Sequence, residues 1–313
     1  MSTQHPRRWT LLATVIVAAG ITVSSGYGLL AESPYRGISA ATELAARAQD
    51  VCSLLVAGLL LLQLRSGELS PRAHLVRLGL LAYVLYSYAI YLDGVPMNRT
   101  FLVYVVLESV AGAAFLDGLV RLLPSAWPRV ASRRLERGTG WMLVTVAALF
   151  ALLWLTALLP YAAGGDRPTP EGPGGVAYPV FVLDLVVVLP CIAAVGLMLL
   201  RGRPIAGPLA VVALVKIVTL FTALWAGVVA DLVVRGHVAL GPDAVPSLVM
   251  LALSVWLLVL WLPGLQPTTP FLRSALWVGE QAGPSSPPSV PEGRTRLEAH
   301  ERGWKESGTR RSR

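Results

Sequence analysis

Apolar residues in this 313-residue chain gather in long runs rather than in the short alternation of a half-buried strand or a surface helix. A helix crosses a hydrocarbon core of about 30 Å with roughly 20 apolar residues. Eight stretches reach that length: 9–30, 46–64, 74–92, 100–121, 140–160, 177–200, 206–230 and 245–263. Short connectors rich in Gly, Pro and charge separate them and leave no room for a large soluble domain. The pattern predicts an all-α, polytopic membrane protein with eight transmembrane helices. Composition agrees, at 55% hydrophobic, 14% charged and a mean hydropathy of +0.63.

Charge gives the predicted spans a direction. The N-terminus, every second connector and the C-terminal segment together hold 20 Lys and Arg residues. The alternate connectors hold five, Arg36, Arg47, Arg99, Arg167 and Arg235, and Lys216 stands apart. The positive-inside rule then places both termini in the cytoplasm, as expected for a bacterial cytoplasmic membrane. The net charge of +8 reads as topology and contact with the anionic lipid bilayer, and a nucleic-acid partner is discounted. "PRRWTLLATVIVAAG" also fits a signal peptide, even a twin-arginine one. No small-x-small cleavage site follows cleanly at "SSGYGLL", so an uncleaved first span is preferred. Residues 264–313, rich in Pro, Ser, Gly, Arg and Glu, bury too little apolar surface to fold alone. They are expected to form a disordered, basic cytosolic tail open to a cytosolic partner.

The spans also suggest duplication. "QDVCSLLVAGLLLLQLRSG" from Gln49 and "LDLVVVLPCIAAVGLMLLRGR" from Leu183 both carry Asp at the outer end and Arg near a Gly at the inner end. Trp9 precedes Asp50 by 41 residues, and Trp141 precedes Asp184 by 43. Residues 1–8 form a cytosolic N-terminus, 9–130 a first four-span repeat with its cytosolic loop reaching 139, and 140–263 a second. Four spans return the chain to its starting side, so the halves are expected to be parallel repeats about an axis along the membrane normal. Spans four and eight match poorly.

Lys216 interrupts the apolar run "AVVALVKIVTLF". It lies about 15 Å from the inner edge of its span, near the midplane. A charge there costs at least about 2.5–3.5 kcal/mol, so it is expected to face the bundle interior and to have a partner. Asp50, Asp184 and Glu108 are the candidates, at about 6, 10 and 12 Å below the outer surface by helical rise. Tyr83, Tyr86, Ser87 and Tyr91 cover one broad face of the third span, and Tyr104 shares a face with Glu108 at i,i+4. Together they predict a polar cavity in the outer half of the membrane. An interfacial aromatic belt is the plainer account, suiting Tyr88 and Tyr91 near the outer end better than the deeper Tyr83 and Tyr86. The chain has 24 Arg and two Lys, and a buried Lys, unlike Arg, can give up its proton. Pro190 withholds a backbone donor just below Asp184, a break that transporters use for hinges or exposed carbonyls.

Other chemistry is excluded. GxSxG, HExxH, P-loop and GxGxxG motifs are absent. Cys52 and Cys191 make no metal or disulfide pattern, and the histidines are terminal or interfacial, so neither a cofactor nor a metal is expected. A retinal protein would carry Asp four residues before a lysine in its last span; here that residue is Val212 and another span follows.

The tandem segments, with "LVK" in the span after the second and "YVLYSYAIYLDGVPMN" between them, resemble a group of uncharacterised multi-pass bacterial membrane proteins over about residues 9–263. The resemblance implies membrane architecture and no function. The expectation from the residues is a small polar or ionic ligand, bound or translocated by Lys216 with Asp50, Glu108 and Asp184 as counter-charges and Tyr83, Tyr86 and Tyr104 as lining. The alternatives are a scaffold or sensor with a structural ion pair, and an enzyme on a lipid-linked substrate with Glu108 or Asp184 as general base.

Overall fold

A computed structural model describes residues 5–32, 34–64, 70–122, 132–168, 178–236 and 244–264, with side chains from Arg8 onward. Its described residues are all-helical. Eight helices are long and apolar enough to cross a membrane: α1 (His5–Leu30), α2 (Ala40–Leu64), α3 (Pro71–Gly94), α4 (Phe101–Leu122), α5 (Arg133–Ala162), α6 (Tyr178–Leu200), α7 (Ala206–Arg235) and α8 (Ala244–Trp261). They are compatible with an integral, multi-pass membrane protein. The predicted cytosolic tail, apart from Gly264, lies outside the described residues, as does the segment 123–131.

Several helices outrun the predicted spans because polar residues keep them going past the apolar run. Ser132 caps α5 by accepting from the Leu135 N–H, with Glu136 in the first turn. Ser70 accepts from the Ala73 N–H and Pro71 begins α3, where a missing N–H costs nothing. At its far end α7 is extended by the Asp231–Arg235 pair one turn apart and stops at Gly236, in the left-handed region with φ 73°.

α3 and α7 form the centre. About two thirds of the α3 span and half of the α7 span are buried, against 22–39% for the other six. α1 packs on α2 and α4, and α3 on α4; α5 packs on α6, and α7 on α6 and α8. The two groups meet through α2 on α7, α3 on α7 and α3 on α6. Small residues let these backbones approach, as is usual where lipid leaves packing to drive association. A Cβ at Gly140 would stand 2.9 Å from the Gly196 carbonyl, and one at Gly196 2.8 Å from the Gly140 carbonyl, which fixes the α5–α6 crossing. Gly79 brings α3 against Val215 and the Val212 carbonyl of α7.

Arginines stitch the helix ends by donating to C-terminal carbonyls that a helix leaves unpaired. Arg133 bonds the Leu199 and Leu200 carbonyls of α6 at 3.2 and 2.9 Å, and Arg72 bonds the Pro263 carbonyl beyond α8. At the opposite end Arg47 bonds the Leu29 and Ala31 carbonyls, each at 3.2 Å.

Candidate functional site

The predicted site residues fall into three places. In the first, α3, α6 and α7 meet. Lys216 is 6% exposed, and its Nζ lies 3.9 Å from the centroid of the Tyr86 ring, a cation–π contact. Asp184, 5% exposed, is the charge that acts on it. The two make no direct ion pair, and Lys216 Nζ and Asp184 Oδ1 are both buried without a hydrogen-bond partner. The other carboxylate oxygen, Oδ2, accepts from Trp154 Nε1 of α5 at 2.8 Å. Tyr86 reaches both charges, its ring under the ammonium and its hydroxyl directed to the Asp184 carboxylate.

Local sequence explains the arrangement. A proline inside a regular helix clashes with the carbonyl four residues earlier, here that of Val186. α6 answers with a π-turn over Asp184–Val188, in which the Leu189 N–H reaches the Asp184 carbonyl. The widened turn begins at Asp184, so it sets the direction of that side chain; such turns recur at functional positions. Apolar rings close the surroundings. Trp154 meets Phe181 edge-on at 5.4 Å, and Phe150 bridges Trp154 and Phe221 at 6.1 and 5.9 Å. An ammonium and a carboxylate held in this low-dielectric setting, each with a free bonding position, can grip a ligand that both accepts and donates, or exchange a proton.

The second place is the outer part of α2 and α3. Asp50, 1% exposed, accepts from the hydroxyls of Tyr35 and Tyr91, the latter at 3.3 Å. Tyr35 comes from the α1–α2 connector; burial and then the Asp50 charge push its hydroxyl far above the ordinary tyrosine value, so it stays a neutral donor. Gly28 allows this closeness, since a Cβ there would stand 2.8 Å from the Asp50 carboxylate carbon. Tyr35, Tyr91, Tyr104 and Tyr88 form a continuous stack with neighbouring centroids 5.4–5.8 Å apart. Tyr88 bonds Ser24 at 3.0 Å, and Tyr104 accepts from Asn98 Nδ2 at 3.2 Å. One turn inward, Tyr83 and Ser87 accept from Gln49 Nε2, both at 2.7 Å, and Ser53 adds 3.2 Å to Tyr83. Tyr88 and Tyr91 are thus buried rather than set in an interfacial belt.

Glu108 occupies the third place, alone. It is half-buried on α4, with Oε2 unpartnered, and Asp93 is the charge that acts on it. Of the three carboxylates, the structure brings Asp184 to Lys216; Asp50 turns toward α1 and the connector, and Glu108 lies on a helix that packs on α1 and α3. Among the described residues no group of three or more His, Cys, Asp or Glu is placed to hold a metal ion.

Sequence reasoning did not pick out Trp154, Tyr35 or Gln49. Trp154 carried a signal: it lies about 12 Å inside the end of α5, where an indole N–H needs a partner, whereas Trp ordinarily sits at the interface. Tyr35 carried none, being one polar aromatic in a connector.

The fold is compatible with a multi-pass helical membrane protein, and these charged side chains are buried among its helices. Comparison with family models, with curated proteins and with solved structures found no match.

Proposed function

We propose that this chain is a bacterial cytoplasmic-membrane protein, both termini inside, that binds or translocates a small polar or ionic ligand at Lys216, Asp184 and Tyr86. The observation that carries the reading is the pair of buried, unpartnered atoms on facing helices, Lys216 Nζ and Asp184 Oδ1. Charges near the midplane are costly, and folding alone would favour closing them on each other. Two atoms left open in this way suit a third group that accepts from the ammonium and donates to the carboxylate. Asp50 and Tyr83 belong, in this reading, to the polar network that stiffens the neighbouring helices, with Glu108 and Tyr104 on the outer flank.

Helix order supports two four-span halves. Under a four-helix offset, α2 on α7 has α6 on α3 as its counterpart, and α3 on α7 is its own counterpart. The proposed site lies where the halves meet, the usual place for a translocated ligand.

The test is flux in vesicles. Proteoliposomes of the full chain, with a pH dye inside, would be exposed to membrane potentials and to a panel of inorganic ions and zwitterionic amino acids. Charge or solute movement above that of protein-free vesicles, lost in Lys216→Met and Asp184→Asn, is expected. Movement equal in wild type and both variants would sink the reading. A structural role for the pair is the second reading, favoured by the Trp154–Asp184 bond and the Tyr86 contact.

A further inference from the structure

A separate group of charges lies where the first turns of α1 and α3 meet the last turns of α4. Arg77 of α3 is 5% exposed. Its Nη2 donates to the Thr10 carbonyl of α1 at 3.3 Å, while its Nε is buried and meets no acceptor. His74, one turn earlier and also buried, places Nε2 3.1 Å from the Gly118 carbonyl of α4. Gly118 also lets α4 lie close on α3, since a Cβ there would stand 2.5 Å from Leu78 Cδ2. At the rim Arg121 forks onto Asp117 with bonds of 2.9 and 3.0 Å, and these two side chains are 25% and 36% exposed.

Asp117 is the carboxylate that acts on both Arg77 and His74, and Arg121 acts on both with the opposite sign. Because Arg121 already engages Asp117, the Arg77 charge has no matched counter-ion among the described residues. A buried guanidinium held by one neutral carbonyl is unfavourable unless something anionic completes it. Its unpartnered Nε–H is a charged donor of the kind that suits a phosphate oxygen. The proposed orientation puts this end at the cytoplasmic leaflet, where basic pockets between transmembrane helices take lipid phosphates.

We propose that Arg77, with His74 beside it and Arg121 at the rim, forms a phosphate-binding site between α1, α3 and α4. The phosphate is that of an anionic phospholipid headgroup or free inorganic phosphate. Arg121 turns from Asp117 toward the incoming anion, and Arg77 receives it through Nε. The site is separate from that of Lys216: both use α3, but Arg77 precedes Tyr86 by nine residues, about 14 Å along the helix.

The experiment is thermal unfolding of the full chain in an uncharged detergent, titrated separately with phosphatidylglycerol, inorganic phosphate and a galactolipid that carries no phosphate. Phosphatidylglycerol or phosphate is expected to raise the wild-type melting temperature, and Arg77→Gln, which keeps a donor for Thr10, to weaken that response about tenfold in ligand concentration. A response to phosphatidylglycerol alone assigns the lipid as source, and one to inorganic phosphate assigns the free anion. If Arg77→Gln does not fold, Arg121→Gln at the exposed rim carries the same comparison. No response in the wild type, an equal response to the galactolipid, or equal responses in wild type and the variants overturns the site.

Discussion

Lys216 concentrates the energetics at the residue scale. In a well-made buried ion pair, removing one partner strands the other charge and costs roughly 3–5 kcal/mol. Here the ammonium makes no direct ion pair and keeps an unpartnered Nζ, so its contribution to folding is the Tyr86 contact and the attraction of Asp184 beyond ion-pair distance, set against the desolvation of a fully buried charge. Lys216→Met, of similar length and apolar, is therefore expected to melt at or above the wild-type temperature in detergent. A loss of several kcal/mol would assign the lysine to the scaffold instead. Trp154 differs, because its N–H is the bond that holds Asp184. Trp154→Phe keeps the edge-on packing with Phe181 but removes the donor to Asp184 Oδ2, so a loss of about 1.5–3 kcal/mol is expected in the same melt.

At the scale of elements, α6 is the helix whose shape matters most to the candidate site. Its π-turn holds one more residue than a regular turn, and Pro190 supplies the reason for it. Restoring a backbone N–H with Pro190→Ala removes that reason and lets the turn relax to regular α-helix. One residue fewer in the turn rotates the outer part of α6 by about 100° relative to the inner part, which carries the Gly140–Gly196 crossing. Asp184 would then leave Trp154, while stability is kept or gained because the helix becomes regular. Tryptophan fluorescence is the measurement, read as the change that Trp154→Phe abolishes. A spectrum unchanged by Pro190→Ala would mean that the packing of Phe181 and Asp184, rather than the proline, holds the π-turn.

Across the whole molecule, what the sequence reveals and hides follows from where the information sits. Eight spans are legible because crossing a membrane sets a length that Leu, Val and Ala runs either meet or do not, and eight helices of that kind are found. Lys216 is legible as a charge in a run that contains no other. Its partner was not, because depth along each helix is encoded locally while adjacency is not. Asp50, Asp184 and Glu108 lie at similar depths, and only the packing of α3, α6 and α7 separates Asp184 from the others. Burial of the tyrosine stack also depends on Tyr35 arriving from a connector. The proposed orientation rests on charge: 20 basic residues in one alternating set of segments against five in the other, with the structure giving Arg47, Arg72 and Arg133 the further task of bonding helix-end carbonyls. That capping works equally well in either orientation, so it contributes nothing to the asymmetry. In a Cys52→Ala, Cys191→Ala background, a cysteine replacing exposed Arg36 is expected to react with an impermeant maleimide in intact cells. One replacing exposed Arg203 should react only after permeabilisation. The reverse pattern would invert the bundle, and with it the leaflet that meets Arg77.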